Sequence, residues 1–383
     1  MPRPDIMRTP SLRWSIIFAA ILWALIAAAR AELPAIKTVF LIIFENHDWI
    51  DIRDTNHCPY INQEVLPRAA FAENYSTPPG LHPSEPNYIW LVAGTHFGIV
   101  DDKAPSVNQV ATTNHLAFQL DRAGIPWRAY QEDISGKDIP KVDKGTYAVR
   151  HNPFMFFKGI NTNLPYCTNH IRPFTELAGD LASGRVGRFN FITPNLTNDM
   201  HNLAAGSKSK RTQGDRWLRS MLPGILASEA YKDRGAVFIV SDEGDEDTKD
   251  VPTHDRPIGL IVLSSLRKGG GYHNAVRSTH SSTLRTFQEI FGVRPFLGDA
   301  AEATDLADLF QPASAPQISV RTGPDAGRLP LGIVAGEPGR AYPLQFSDDL
   351  DRWTDSGADG AVGRDISVPV PPAATRYFRW ITR

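Results

Sequence analysis

Two stretches of this chain carry almost no polar break. Residues 38–44 read TVFLIIF and residues 236–241 read AVFIVS. Strands buried on both faces of a parallel sheet read as continuous apolar runs, so both stretches are predicted as interior strands. The pattern between and after them alternates. HLAFQLDRAG (115–124) spaces its apolar residues as an amphipathic helix and stops at a glycine. PWRAYQED (126–133) reads as a strand, RPFTELAGDLASG (172–184) as a helix and RFNFITP (188–194) as a strand. GDRWLRSMLPGILASEAYK (214–232) is helical, with Pro223 expected to kink or break it. PIGLIVLS (257–264) adds another strand. Alternation of this kind predicts an α/β domain with a mostly parallel sheet and helices on both faces. The polar segments 133–146 and 204–212 are expected as loops over the site.

The pattern changes near residues 311–317, where PASAP interrupts the chain. Beyond it come the short runs QISVRT, YPLQFSD, ISVPVP and TRYFRWIT, separated by glycine, proline and aspartate. They predict a small all-β module over 318–383, loosely similar to a small sandwich found at the ends of exported bacterial proteins. At the other end, Arg3, Arg8 and Arg13 precede the apolar run WSIIFAAILWALIAAA, and Ala29-Arg30-Ala31 offers a small-x-small cleavage pattern. Residues 1–31 therefore read as a secretory signal peptide, and the mature protein as exported, periplasmic or secreted. The run is shorter than the ~20 residues that a spanning helix needs, so no mature transmembrane segment is expected. The catalytic domain is assigned to 32–311.

Composition narrows the picture. The net charge of −2 and the lack of a basic block give no footprint for nucleic acid. Cys58 and Cys167 are the two cysteines. An exported chain permits a disulfide between them, and two separate buried thiols fit equally. Neither has zinc-site spacing.

The candidate chemistry lies where the strands end. Glu45-Asn46 follows the first apolar run and Asp242-Glu243 follows the second. Ligands of open α/β sheets bind beyond the carboxyl ends of the strands, so the two pairs can meet there. Hard oxygen donors without a nearby cysteine suit a divalent cation, whether calcium, magnesium, manganese or zinc. Ser84 precedes Glu85-Pro86 at an apparent helix start. A serine there is commonly an N-cap. A helix N-terminus also binds phosphate, which would let Ser84 attack phosphorus while Asn87 donates to the same oxygens. His201 lies in a polar cluster with Asn198, Asp199 and Asn202, whereas His280 begins another helix, where capping competes with catalysis. His47, His57, His96, His115, His170, His254 and His273 are read as structural.

Six motifs then occur in one order: ENHD (45–48), HPSEPNY (82–88), RHNPF (150–154), TPNLTNDMHN (193–202), SDEGD (241–245) and THSSTLRT (279–286). Over residues 37–310 the chain resembles the phosphoesterase family of bacterial phospholipases C and acid phosphatases, within the alkaline phosphatase-like superfamily. HPSEPNY and TPNLTNDMH resemble the acid phosphatase branch more closely. The resemblance implies a three-layer α/β/α alkaline phosphatase-like domain. It implies one divalent cation on Glu45, Asn46, Asp242 and Glu243, and Ser84 as nucleophile. His201 and His280 fall on motif histidines near phosphate and leaving group, while Asn87, Asp199 and His151 sit inside matched motifs. His47, Asp48 and Trp49 stand where lipases carry serine and phenylalanine, which points away from phospholipid. The reading is a metal-dependent hydrolase of phosphate monoesters with a phosphoserine intermediate. A phospholipase C acting on phosphodiesters is the second reading, and a non-catalytic surface-binding protein the third. A sulfatase is disfavoured because the Ser84 motif lacks the accompanying arginine. The partner is a phosphate ester substrate, and for the C-terminal module glycan or surface contact, packing on the catalytic domain and a spacer role stay open.

Overall fold

The computed structural model describes residues 33–245 and 256–312, and in the C-terminal part residues 317–320, 328–335, 341–347, 351–361, 365–369 and 377–380. The leader at 1–31 and His254 lie outside the described residues.

The two uninterrupted apolar runs are β1 (Thr38–Phe44) and β7 (Gly235–Ser241), buried at every position. They pair in parallel from Thr38↔Gly235 to Phe44↔Ser241. Around them an eight-stranded sheet runs in the order β5-β4-β6-β1-β7-β8-β2-β9. Its other members are β2 (Ala70–Ala72), β4 (Trp127–Gln131), β5 (Ile171–Pro173), β6 (Phe189–Thr193), β8 (Leu260–Ser264) and β9 (Tyr272–Asn274). From β5 to β7 every pairing is parallel, and β8 alone runs antiparallel to both its neighbours. The mostly parallel α/β sheet expected from the apolar pattern is the one found.

Side chains alternate across a strand, so β1 serves two layers. Phe40, Ile42 and Phe44 share one cluster with Trp217, Leu218, Leu222 and Ile225 of the long helix Lys210–Ala227. On the opposite face Phe287, from the helix His280–Phe291, meets Phe189 of β6 and Phe238 of β7. Burying each such side chain stabilises the fold by about 1.5–3 kcal/mol. The helix Ser84–Ala93 joins that second layer, where Trp90 Nε1 donates to Ser281 Oγ at 2.8 Å.

Two local expectations change, and the pairing of the cysteines, left open by the sequence, is settled. Pro223 neither breaks nor ends its helix, which continues to Ala227. Pro223 and Arg219, four residues before it, both lie on the exposed side of the helix, while Leu222 and Ile225 hold the inner face. The segment starting at Arg172 opens as edge strand β5, where Pro173 needs no N–H, and becomes helical only at Leu177–Ser183. Cys58 and Cys167 are separate buried thiols, and burial pushes them up to about 12 and about 11.

The C-terminal strands form two antiparallel three-stranded sheets. One is β11 (Gln317–Val320), β12 (Arg328–Ala335) and β15 (Asp365–Pro369). The other is β14 (Thr354–Gly360), β13 (Tyr342–Ser347) and β16 (Tyr377–Trp380). Leu331, Ile333, Tyr342 and Leu344 make a core of their own.

Candidate active site

The backbone brings three segments together at the carboxyl ends of β6, β1 and β7. Asp242 N donates to Phe44 O at 2.9 Å, and Glu45 N donates to Asp199 O at 2.8 Å. Glu45, Asp199, Asp242 and Glu243 are thereby set side by side, all fully buried. Asp242 Oδ1 accepts from Glu243 N at 2.7 Å and from Asn46 N at 3.2 Å. Asn46 reaches this position with φ 44°, a conformation asparagine tolerates.

Ser84 is the first residue of its helix, and Pro83 occupies the cap position. The serine is therefore not the N-cap. Its Oγ donates to Glu45 Oε2 at 3.0 Å and lies 3.4 Å from Glu243 Oε1. The free N–H groups expected at this helix end are fewer than a generic terminus offers. Asp102 accepts from Glu85 N at 2.9 Å, and Pro86 has no N–H. Asn87 also differs from expectation. Its amide N–H groups go to Leu81 O, Pro83 O and Glu243 Oε2 at 2.7, 3.2 and 3.1 Å. It fixes the approach loop and a carboxylate rather than offering donors to the pocket.

The histidines separate by environment. His151 is 1% exposed, with Nε2 3.4 Å from Glu45 Oε1 and Nδ1 3.2 Å from Asp199 Oδ2. His201 is half-buried, and its ring centroid lies 5.9 Å from that of His151. Its N–H donates to Asp199 Oδ1 at 2.7 Å, and its Nδ1 meets Asn202 Oδ1 at 2.8 Å. His280 is fully enclosed. Its Nε2 meets Asp242 O at 2.5 Å and its Nδ1 meets Tyr75 OH at 2.9 Å. A carbonyl only accepts, so Nε2 carries the proton and Nδ1 accepts from the tyrosine. Burial lowers His280 to about 4, in keeping with this neutral form.

Two contributors escaped the sequence reading. Tyr88 donates to Glu45 Oε1 at 2.5 Å, and His82 Nδ1 meets Glu243 Oε2 at 2.5 Å. Both lie inside HPSEPNY, and their nearness to Ser84 was the available signal. Of the histidines read as structural, His96, His115 and His170 each use Nδ1 on a nearby backbone group, and His273 stacks on Phe71. His47 is buried with neither ring nitrogen hydrogen-bonded among the described residues, and burial lowers it to about 4.

The electrostatics set these buried carboxylates against one another. Burial first, and then neighbouring carboxylates, push Glu45, Asp199 and Asp242 well above the usual carboxylate range. Asn46 Oδ1, Asp199 Oδ2, Asp242 Oδ2 and His151 Nε2 are buried without a hydrogen-bond partner among the described residues. Unpaired buried acceptors are costly in a native fold. Oxygen and imidazole donors of this kind suit a divalent cation. Glu45, His151 and Asp199 offer ligand atoms within 4.8 Å of one another.

The sequence profile of the phosphoesterase family matches residues 54–294, well over half the chain. This chain belongs to the phosphoesterase family. The phosphoesterase is thus a hydrolase of phosphate ester bonds, and its first acidic pair lies just outside the matched span. It is 28% identical over 286 residues to a phosphatidylinositol-3-phosphatase of Mycobacterium tuberculosis, covering 74% of this chain and 86% of that one. It is 26% identical over 279 residues to an acid phosphatase of Aspergillus fumigatus, covering 70% of this chain and 58% of the fungal one. Among solved structures, an alkaline phosphatase superfamily protein from Vibrio parahaemolyticus aligns with a TM-score of 0.48 and 9% identity, over 86% of this chain and 84% of that one.

Proposed function

We propose that this phosphoesterase is an exported, metal-dependent phosphomonoesterase that works through a phosphoserine on Ser84. The observation that carries the reading is the Ser84 hydroxyl, held 3.0 Å from Glu45 and 3.4 Å from Glu243 where β1 and β7 end. The match to enzymes named as phosphatases supports a monoester substrate. The leader-like residues 1–31 support export.

Glu45, Asn46, Asp242 and Glu243 would hold the cation, which when bound supplies charge to a phosphoryl oxygen and to the serine oxygen. Ser84 gives its proton to Glu45 Oε2 as its oxygen forms the bond to phosphorus, and the bond from phosphorus to the ester oxygen breaks. His201, half-buried beside the carboxylates, gives a proton to the departing alkoxide. Water then attacks the phosphoserine, giving a proton back to His201, and the bond from phosphorus to the Ser84 oxygen breaks as Glu45 returns its proton to that oxygen, releasing inorganic phosphate. Asn87 holds Glu243, and His280 holds the Asp242 backbone.

The test is acid-quenched turnover of p-nitrophenyl phosphate, with bis-p-nitrophenyl phosphate and phosphatidylcholine in parallel. Wild-type protein should label at Ser84 and prefer the monoester. Ser84→Ala should lose label and several orders of magnitude in turnover while keeping its fold. Near-normal turnover in a folded Ser84→Ala protein would falsify the covalent route. Faster cleavage of the phospholipid would replace the monoester reading with a phospholipase C.

A further inference from the structure

Glu132 follows β4 as a half-buried carboxylate whose hydrogen bonds come from neutral donors. Asn195 N donates to its Oε2 at 2.8 Å, and Trp217 Nε1 donates to its Oε1 at 3.2 Å. Asn198 Nδ2 is shared between the two oxygens at 3.0 and 2.9 Å. Among the described residues no lysine, arginine or histidine pairs with it. A carboxylate drawn partly out of water without an opposite charge is costly to the fold.

Glu132 also lines a cleft of about 620 Å³ that runs between the helices Leu177–Ser183 and Lys210–Ala227. The cleft is walled by Phe174, Leu177, Leu181 and Met221. Phe174, Leu181 and Met221 are only partly covered by the core cluster beneath them. Among the described residues Glu132 is the one charged group in the lining. This size, with apolar walls and few polar groups, is that of a small-molecule site. The lone carboxylate selects its occupant by charge. It repels an anion, and a neutral chain leaves it uncompensated. A cationic head on an apolar body matches both the charge and the walls.

We propose that this cleft binds a primary alkylamine, with its ammonium on Glu132 and its chain along Phe174, Leu181 and Met221. The ammonium brings three donors together with a charge. Its charge-assisted bond is about twice as strong as the neutral one it replaces. The contact released is one of the two that Asn198 Nδ2 makes. Asn198 precedes Asp199, whose Oδ1 accepts from His201 N and whose backbone carbonyl accepts from Glu45 N. The charge of Glu132 also acts on Asp199 directly. Occupancy of the cleft therefore reaches the active site along one short segment, loosening Asp199 and slowing hydrolysis.

The experiment uses n-octylamine on the full-length protein at neutral pH, with octanoate and octanol as controls. Calorimetry should show the amine at one saturable site, and the acid and the alcohol about 10-fold weaker or more. Glu132→Gln should weaken the amine by about 10-fold and leave octanol unchanged. Ala178→Trp fills the cleft from an exposed position of its lining, away from the core, and should abolish binding. It carries the test if Glu132→Gln does not fold. Turnover of p-nitrophenyl or bis-p-nitrophenyl phosphate, whichever the protein hydrolyses, should fall about twofold or more at saturating amine. In Ala178→Trp it should not respond to the amine. No binding of octylamine overturns the site. Equal affinity for amine, acid and alcohol overturns the cation assignment, and binding unchanged in Ala178→Trp overturns the cleft. Binding that leaves turnover unaltered overturns the link to Asp199. The calorimetry needs neither a metal nor the Ser84 route, so failure of those readings is seen separately.

Discussion

Tyr88 lies flat against His151, with ring centroids 4.9 Å apart and planes 4° from parallel, while its hydroxyl donates to Glu45 Oε1. One fully buried side chain thereby sets the orientation of two residues from different segments. Partners that orient ligands in this way typically contribute 10–100-fold, roughly, to metal affinity. Tyr88→Phe keeps the ring contact and deletes only the O–H donor. It should weaken Mn2+ binding by about 10-fold or more with little loss of turnover at saturating metal. Calorimetry on the stripped protein checks this. An unchanged affinity would mean that packing alone aligns Glu45.

His201 and His280 should behave differently when replaced. Burial holds His201 below its ordinary 6.5. A proton donor with that property is depleted as pH rises past its lowered pKa. Turnover of an alkyl phosphate should therefore fall toward neutral pH, and His201→Asn should lose this limb together with about 10²-fold or more in rate. A p-nitrophenyl ester, whose leaving group needs no proton, should be much less affected. His280→Ala should instead lower stability by about 1–3 kcal/mol, because the buried Asp242 O loses its donor while Tyr75 OH keeps only Thr283 Oγ1. Paired pH–rate profiles and melting curves separate the two roles.

Much of this site was visible in the residues. Glu45-Asn46 and Asp242-Glu243 close the two apolar runs, which placed both at strand ends, and the sheet order, with β1 beside β7, is what sets Glu45 and Asp242 together. Ser84 followed from its helix start. Protonation and donor direction were not legible, because they depend on what a side chain meets in space. Asn87 turns its N–H groups to Leu81 and Glu243, and His280 is kept neutral by burial while its Nε2–H donates to the Asp242 carbonyl. Pro223 was misjudged for a similar reason. A broken helical bond matters less on the exposed side of a helix whose inner face is packed.

The metal-free protein should lose stability as pH rises. Glu45, Asp199 and Asp242 titrate well above the usual range when folded, so the folded state retains protons that the unfolded chain releases from about pH 4 upward. Their stability contribution is whole below that point and is lost as pH climbs through the raised values. Melting of chelated protein should occur at higher temperature at pH 5 than at pH 7.5. Saturating Mn2+ should narrow the gap without closing it, because Glu85, pushed up to about 9 by burial, adds a part of the same sign. A gap unaffected by metal would place the cause elsewhere in the fold.

Ending the chain at Gln311 should leave phosphate ester hydrolysis largely intact. We propose residues 318–383 as a separate module because Leu331, Ile333, Tyr342 and Leu344 form their own core. Steady-state turnover of the purified, folded truncation against full length tests this. A large loss in a normally folded truncation would give the module a part in the site.

The parallel pairing of β1 with β7 has a consequence for biogenesis. Asn46 and Asp242, whose contact closes the acidic cluster, stand 196 positions apart in sequence. At roughly 5–20 residues per second, a ribosome delivers the second strand on the order of 10–40 s after the first. Until then β1 is an almost wholly apolar segment lacking its central neighbour, the kind of transiently exposed surface that favours aggregation. The buried carboxylate cluster is therefore completed only once β7 has been made, and a ribosome stalled before β7 would release a product unable to assemble it.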